Sequence, residues 1–184
     1  MNYRAITSSD ELWCKVRNYA ESCSWRAGKV LANTMDNNAF QDWERVVVAI
    51  DNEKICGYCT VAKTDCIPNV PYTPYIGFMF VDEAYRGNRL SQQLIYYAMD
   101  YLKSVGFDKV YLVSDHENLY EKYGFRVIDR KMAPWGSEEK IYMQELWCRQ
   151  IPILRWDVIR FRMTGVDKSM SKIQIDRDYV ELSF

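Results

Sequence analysis

Residues 76–106 carry the arrangement that most limits how this chain can fold: an apolar extended run, a polar basic turn and a long amphipathic segment, in that order. Ile76-Gly77-Phe78-Met79-Phe80-Val81 is nearly all apolar, as expected of a central strand covered on both faces. Asp82-Glu83-Ala84-Tyr85-Arg86-Gly87-Asn88-Arg89 breaks that pattern as a turn. A helix is expected from about Leu90 to Val105, with Leu94, Ile95, Ala98, Leu102 and Val105 on one face and Gly106 as its C-terminal stop. The first turn of a helix carries unpaired N–H donors and a partial positive charge. Arg86 and Arg89 set full charges beside them, so the turn reads as a cradle for a pyrophosphate.

A chain of 184 residues is most simply one domain with a real core. Its net charge of −1 gives no electrostatic case for nucleic acid as a partner. No N-terminal apolar run fits a signal peptide, and no apolar stretch approaches the roughly 18–20 residues of a membrane span. No membrane association is therefore expected, and a cytoplasmic location is. Among the six Cys, Cys56-x-x-Cys59 has metal-ligand spacing. On a regular strand two residues three apart point to opposite faces, so buried free thiols and no metal are expected. Fourteen Tyr and six Trp suggest a pocket lined by flat, amphipathic side chains.

Asn2–Ile6 reads as a first strand, and Ser8, Ser9 or Asp10 as the cap of a helix with Leu12, Trp13, Val16, Tyr19 and Ala20 inward. Residues 22–28 break it, and a second helix is expected from Lys29 to about Asn37. Arg45–Ile50 and Ile55–Ala62 form a hairpin in which Gly57 marks a bulge or a close backbone approach. Pro68, Pro71 and Pro74 make residues 65–74 a loop. Beyond the long helix come a strand at Lys109–Val113, a short helix at Asn118–Tyr123, and strands at Arg126–Met132 and Lys140–Leu146. The tail 148–184 is expected to pack on the same domain as an extension, with strands at Asp157–Met163 and Tyr179–Phe184.

Two stretches carry a family resemblance. Tyr85-Arg86-Gly87-Asn88-Arg89-Leu90-Ser91 resembles the Q/R-x-x-G-x-G/A signature of the GNAT superfamily of acyl-CoA-dependent N-acyltransferases, with Arg89 where Gly is usual and Ser91 for the last small residue. Tyr120-Glu121-Lys122-Tyr123-Gly124-Phe125 resembles that family's Y-x-x-x-G-F. The element order βααβββαβαββ over residues 1–147 is also the family's. The resemblance implies an α/β (α+β) acyl-CoA N-acyltransferase fold: a mixed, mostly antiparallel sheet flanked by helices, with splayed central strands. It implies acetyl-CoA as co-substrate, with Met79, Phe80 and Val81 along pantetheine and Arg86, Gly87, Asn88, Arg89, Leu90 and Ser91 around the pyrophosphate. Asn118 and Tyr123 complete the cofactor set, and Tyr120 lies near the sulfur. Trp25, Arg26, Tyr75 and Trp135 are the candidates to border the acceptor.

The implied reaction is transfer of an acetyl group from acetyl-CoA to a primary amine of a small molecule or peptide. Charge building on the thioester oxygen needs fixed donors, which backbone N–H groups near Met79–Val81 can supply. Tyr120 is the candidate acid for the departing thiolate, or else a residue that orients the cofactor. Asn118 caps its short helix or bonds the cofactor. His116 has the intrinsic basicity of a proton acceptor, and Asp115 is its rival. Asp82 and Glu83 also remain. The alternatives are a non-catalytic CoA-binding module on the same fold and a site for another phosphate ligand. A monomer and a homodimer are both compatible with the sequence.

Overall fold

Val46, Val47, Val48 and Ala49 are all fully buried, which requires cover on both faces of the strand that carries them. In the computed structural model, which describes residues 1–146 and the strand backbones of Ile173–Ile175 and Val180–Leu182, that cover is helical. Val46 and Val48 pack with Trp13, Val16 and Ala20 of α1 (Trp13–Ser22) and with Leu31 and Met35 of α2 (Ala27–Asp36). Val47 and Ala49 pack with Leu90, Leu94, Ile95, Ala98 and Leu102 of α3 (Leu90–Val105). Burying side chains of this size contributes about 1.5–3 kcal/mol each. Val105, expected on the same stripe of α3, is instead 41% exposed as the last residue of the helix.

The strands are β1 (Asn2–Ile6), β2 (Arg45–Asp51), β3 (Lys54–Ala62), β4 (Tyr75–Val81), β5 (Lys109–Ser114), β6 (Arg126–Met132) and β7 (Glu138–Glu145). They form one seven-stranded sheet in the order β1-β2-β3-β4-β5-β7-β6. Every neighbouring pair is antiparallel except β4 and β5. The acyl-CoA N-acyltransferase architecture expected from the motifs is the one observed.

Three local expectations give way to packing. Gly28 lies inside α2 rather than before it, because the helices cross so closely that a Cβ there would stand 2.2 Å from the Ala20 carbonyl oxygen. Cys56 and Cys59 do not face opposite ways: a register shift opposite Ala49 and Ile50 turns both into the core beneath α3, where both are buried free thiols. The helix expected over Asn118–Tyr123 shortens to a single 3₁₀ turn, Glu121–Tyr123, with Asn118 at a left-handed φ of 57°.

The chain divides into two units, Met1–Cys148 and Arg149–Phe184. Within the second, β8 (Ile173–Ile175) pairs antiparallel with β9 (Val180–Leu182). β9 falls inside the strand expected at Tyr179–Phe184, whereas the one expected at Asp157–Met163 lies outside the described residues.

Candidate active site

β4 runs beside β5 for one residue pair, Tyr75 opposite Tyr111, and pairs with it nowhere else. Its other edge stays paired with β3, but the register slips between Tyr58 and Thr60, and Phe78 takes a left-handed φ of 45°. That bulge bends β4 away from β5, so the backbone from Ile76 to Val81 borders a cleft instead of a neighbouring strand.

Two cavities open along the gap. One, of about 460 Å³, is lined by Met79, Phe80, Val81, Glu83, Arg86, Gly87, Arg89, Leu90 and Ser91. The other, of about 750 Å³, is lined by α2, the loop before β4, the start of β4 and the end of β5, with Trp135 and Glu139 on its far side. Trp25, Met79, His116 and Tyr120 line both, and so mark where the cavities meet.

The turn at the smaller cavity is built from its own polar groups. Asp82 Oδ1 accepts from the Ala84 N–H at 3.0 Å, and its Oδ2 accepts from the Tyr19 hydroxyl at 2.8 Å. Asn88 Nδ2 donates to the Tyr85 carbonyl at 3.3 Å, so Asn88 braces the turn and does not line the cleft. Gly87 sits at φ 82° with open space where a Cβ would be, which leaves its backbone accessible to a ligand. Arg89 is also left-handed, φ 57°, directly before α3, whose first internal bond runs from the Gln93 N–H to the Arg89 carbonyl. The N–H groups ahead of it open toward the turn. Ser91 Oγ lies 3.1 Å from the Tyr123 hydroxyl, which ties the helix start to the 3₁₀ turn.

Arg86 lies 5.9 Å over the Phe80 ring, donates from Nε to the Val81 carbonyl at 3.1 Å and pairs through Nη2 with Glu83 at 2.8 Å. The Ser24 hydroxyl donates to the same Glu83 oxygen. Phe80 in turn stacks on Trp25 at 6.3 Å with the planes 6° apart.

Tyr120 is 8% exposed, and its ring lies among Tyr142, Tyr123, Phe125 and His116. Burial pushes its phenol up to about 12, against an opposing pull from the Ser114 hydroxyl. His116 is exposed, with Nδ1 2.9 Å from Ser114 Oγ and 3.3 Å from Asp115 Oδ1. Its carbonyl accepts from the Tyr142 hydroxyl at 2.7 Å.

Five residues expected near ligands line neither cavity: Asn88 and Tyr123, which brace the turn and the start of α3, and Tyr75, Arg26 and Asn118. Tyr75 is 1% exposed and lines neither cavity; its buried hydroxyl has no hydrogen-bond partner among the described residues. Arg26 is exposed at the start of α2, and Asn118 is exposed in the loop after β5; both lie outside the two cavities. Trp25 and Trp135 do line the larger one.

The sequence reading missed the carboxylates of that cavity: Glu44, Asp65 and Glu139. Asp65 Oδ1 accepts from the Cys66 N–H at 2.7 Å, and burial pushes its carboxyl up to about 6. Glu139, 6% exposed, accepts at Oε1 from Ser137 Oγ at 2.8 Å and Trp135 Nε1 at 3.2 Å. Glu44 accepts the backbone N–H groups of Gln41 and Lys63. Nothing in the local pattern distinguishes these from surface acids. Among the described residues no group of three or more His, Cys, Asp or Glu could hold a metal ion, and no helix is long and apolar enough to cross a membrane.

A mixed sheet that splays beside a helix N-terminus, with a tyrosine at the end of the gap, defines the class: an acyl-CoA N-acyltransferase fold. Within that class the chain belongs to the acetyltransferase (GNAT) family, whose model matches residues 11–125. It is 33% identical over 104 residues to N-alpha-acetyltransferase 30 of Saccharomyces cerevisiae, over 52% of this chain and 59% of the yeast protein. The match thus spans about three-fifths of that relative's length. An aminoglycoside 6'-acetyltransferase type Ii superposes with a TM-score of 0.63 at 17% identity, covering 81% of this chain and 99% of that one. A chain of the NatC complex bound to Gag peptide and CoA superposes with 0.55 at 19% identity, covering 78% and 97%. At these identities the likeness of the solved structures is one of fold.

Proposed function

We propose that this protein transfers an acetyl group from acetyl-CoA to a primary amine. The observation that carries the reading is the meeting of two cavities at Tyr120, His116, Met79 and Trp25, one reaching the α3 N-terminus and the other large enough for a small acceptor. The residues of the smaller cavity fit a pyrophosphate. Gly87 leaves its backbone open, the first N–H groups of α3 face the turn, and Arg86 and Arg89 supply positive charge. Backbone groups of Met79–Val81, freed by the splay, align pantetheine and offer donors to the thioester oxygen. A family relative named as an N-alpha-acetyltransferase and neighbours that include an aminoglycoside acetyltransferase complexed with coenzyme A support the same reading.

In this mechanism the neutral amine attacks the thioester carbonyl. A C–N bond forms, the C–S bond breaks, and the CoA thiolate takes the phenolic proton of Tyr120. The proton released by the acylated nitrogen passes to water and His116, beside Asp115, and restores the phenol. Burial keeps Tyr120 protonated at working pH, as an acid must be. The test is thiol release from acetyl-CoA across an amine library. Tyr120→Phe is expected to lower kcat about 100-fold or more while leaving acetyl-CoA affinity within about twofold. Unchanged turnover in that variant removes Tyr120 from the chemistry, and no thiol release with any amine removes the reading itself.

A further inference from the structure

Charge in the larger cavity is one-sided. Among the described residues its lining carries Glu44, Asp65, Asp115 and Glu139, and not one Lys or Arg. Acidic residues alone would be an ordinary solvated surface, but here a second feature points to a ligand. Thr60 is 2% exposed, lines the same cavity, and its hydroxyl makes no hydrogen bond among the described residues. It stands beside Asp65 around a gap kept open by a glycine. A Cβ on Gly77 would lie 3.3 Å from both Thr60 Oγ1 and Asp65 Oδ2. Asp65 Oδ1 is taken by the Cys66 N–H, which leaves Oδ2 facing that gap. Glu139 is likewise half-used: Ser137 and Trp135 bond Oε1, and Oε2 has no partner among the described residues.

These acceptors stand apart from the transfer point. Trp25, Met79, His116 and Tyr120 line both cavities, whereas Thr60, Asp65, Gly77 and Glu139 line only the larger one. A group held by them therefore belongs to a part of the acceptor that does not react. Acceptor oxygens with free lone pairs, two of them carboxylate, match an alkylammonium, which is donor-only and positively charged. Trp135, which lines the cavity and donates from Nε1 to Glu139, adds an aromatic ring of the kind that attracts a cation.

We propose that the acceptor is a small amine carrying at least two positive charges, its distal ammonium held by Asp65, Thr60 and Glu139 while a second amine meets the thioester beside Tyr120. The inference rests on the acetyl-transfer reading and narrows its substrate class to di- and polyamines, including amino-bearing sugars. An acceptor with a single amine on an apolar or neutral chain leaves Asp65 Oδ2 and Thr60 Oγ1 without a donor among the described residues.

The experiment compares 1,4-diaminobutane, spermidine and a diamino sugar with butylamine and a neutral-side-chain tripeptide, by thiol release from acetyl-CoA with the full chain. A charge-assisted contact predicts kcat/KM for the diamines about 10- to 100-fold above that for butylamine. Asp65→Asn and Gly77→Ala should each remove about 10-fold or more of that preference, mainly through KM, and leave butylamine turnover within about threefold. Equal use of mono- and diamines by the wild type overturns the inference, as does a uniform loss on all amines in both variants. If butylamine or the tripeptide is acetylated as well as the diamines, the acetyl-transfer reading survives and the substrate class does not. If no amine releases thiol, calorimetry with spermidine alone decides: binding to the wild type but not to Asp65→Asn upholds the ammonium site without the reaction, and no binding ends both.

Discussion

Tyr75 and Tyr111 face each other as the one cross-strand pair between β4 and β5, with their rings 5.9 Å apart. Tyr75 is the first residue of β4, and beyond that pair the strands part, with both cavities along the opening. The site is thus a controlled failure of strand pairing. It is anchored on one side by two packed tyrosines and bent on the other by the left-handed Phe78.

Glu83 holds Arg86 at the mouth of the smaller cavity, so an incoming pyrophosphate must share or displace that carboxylate. Glu83→Gln is expected to tighten acetyl-CoA binding about two- to fivefold, and Arg86→Ala to weaken it about 10-fold or more. Isothermal titration at low and moderate salt checks both, with the Arg86 effect shrinking as salt rises.

Arg89 occupies a left-handed conformation in which a side chain costs about 1–2 kcal/mol and glycine costs little. Arg89→Gly should raise stability by about 0.5–1 kcal/mol in urea unfolding while weakening acetyl-CoA binding about threefold, because a charge is lost. A fall in stability would mean that the arginine side chain contributes packing that offsets its backbone strain.

Asp65 carries a stability cost of its own. Folding raises its pKa from 3.8 to about 6, since burial disfavours the carboxylate; Cys66, Tyr75 and Tyr120 are the titratable groups that sense its charge, and none is a cation. Between those values the folded state keeps the proton that the unfolded state has released, and this relative stabilisation is lost as pH rises through about 6. Asp65→Asn should therefore stabilise the unliganded protein by about 1–2 kcal/mol at pH 7.5 and by little at pH 4. Thermal unfolding at the two pH values measures the difference.

Gly28 lets α1 and α2 cross at backbone contact. Gly28→Ala should destabilise the fold by about 3 kcal/mol, because the methyl meets a carbonyl oxygen and no flexible side chain can yield. Urea unfolding reads the loss, which removal of Cβ atoms elsewhere on the exposed face of α2 should not reproduce.

Much of the architecture was legible without coordinates. The limits of α3 follow from a 3.6-residue stripe and a terminal glycine, and the basic turn from Arg86-Gly87 ahead of a helix start. The motif singled out Tyr120, which lines both cavities, and the helix expected to carry it is only a 3₁₀ turn. Errors arose where distant backbone intervened. Gly28 read as a breaker because α1 was not yet beside it. Cys56 and Cys59 read as opposed because a bulge on β3 has no signature other than a glycine. Tyr75 read as a ligand contact because an aromatic at the head of the apolar run looks the same whether it faces a pocket or a neighbouring tyrosine.

What the sequence by itself determined was therefore most of the elements of residues 1–146, the family and the basic turn before α3, because helix periodicity and turn chemistry act over a few adjacent residues. Only the tertiary structure assembled the larger cavity. Thr60 on β3, Asp65 in the following loop, Gly77 on β4 and Glu139 on β7 line one cavity through strand order and a bulged register, a grouping that no single stretch of chain encodes.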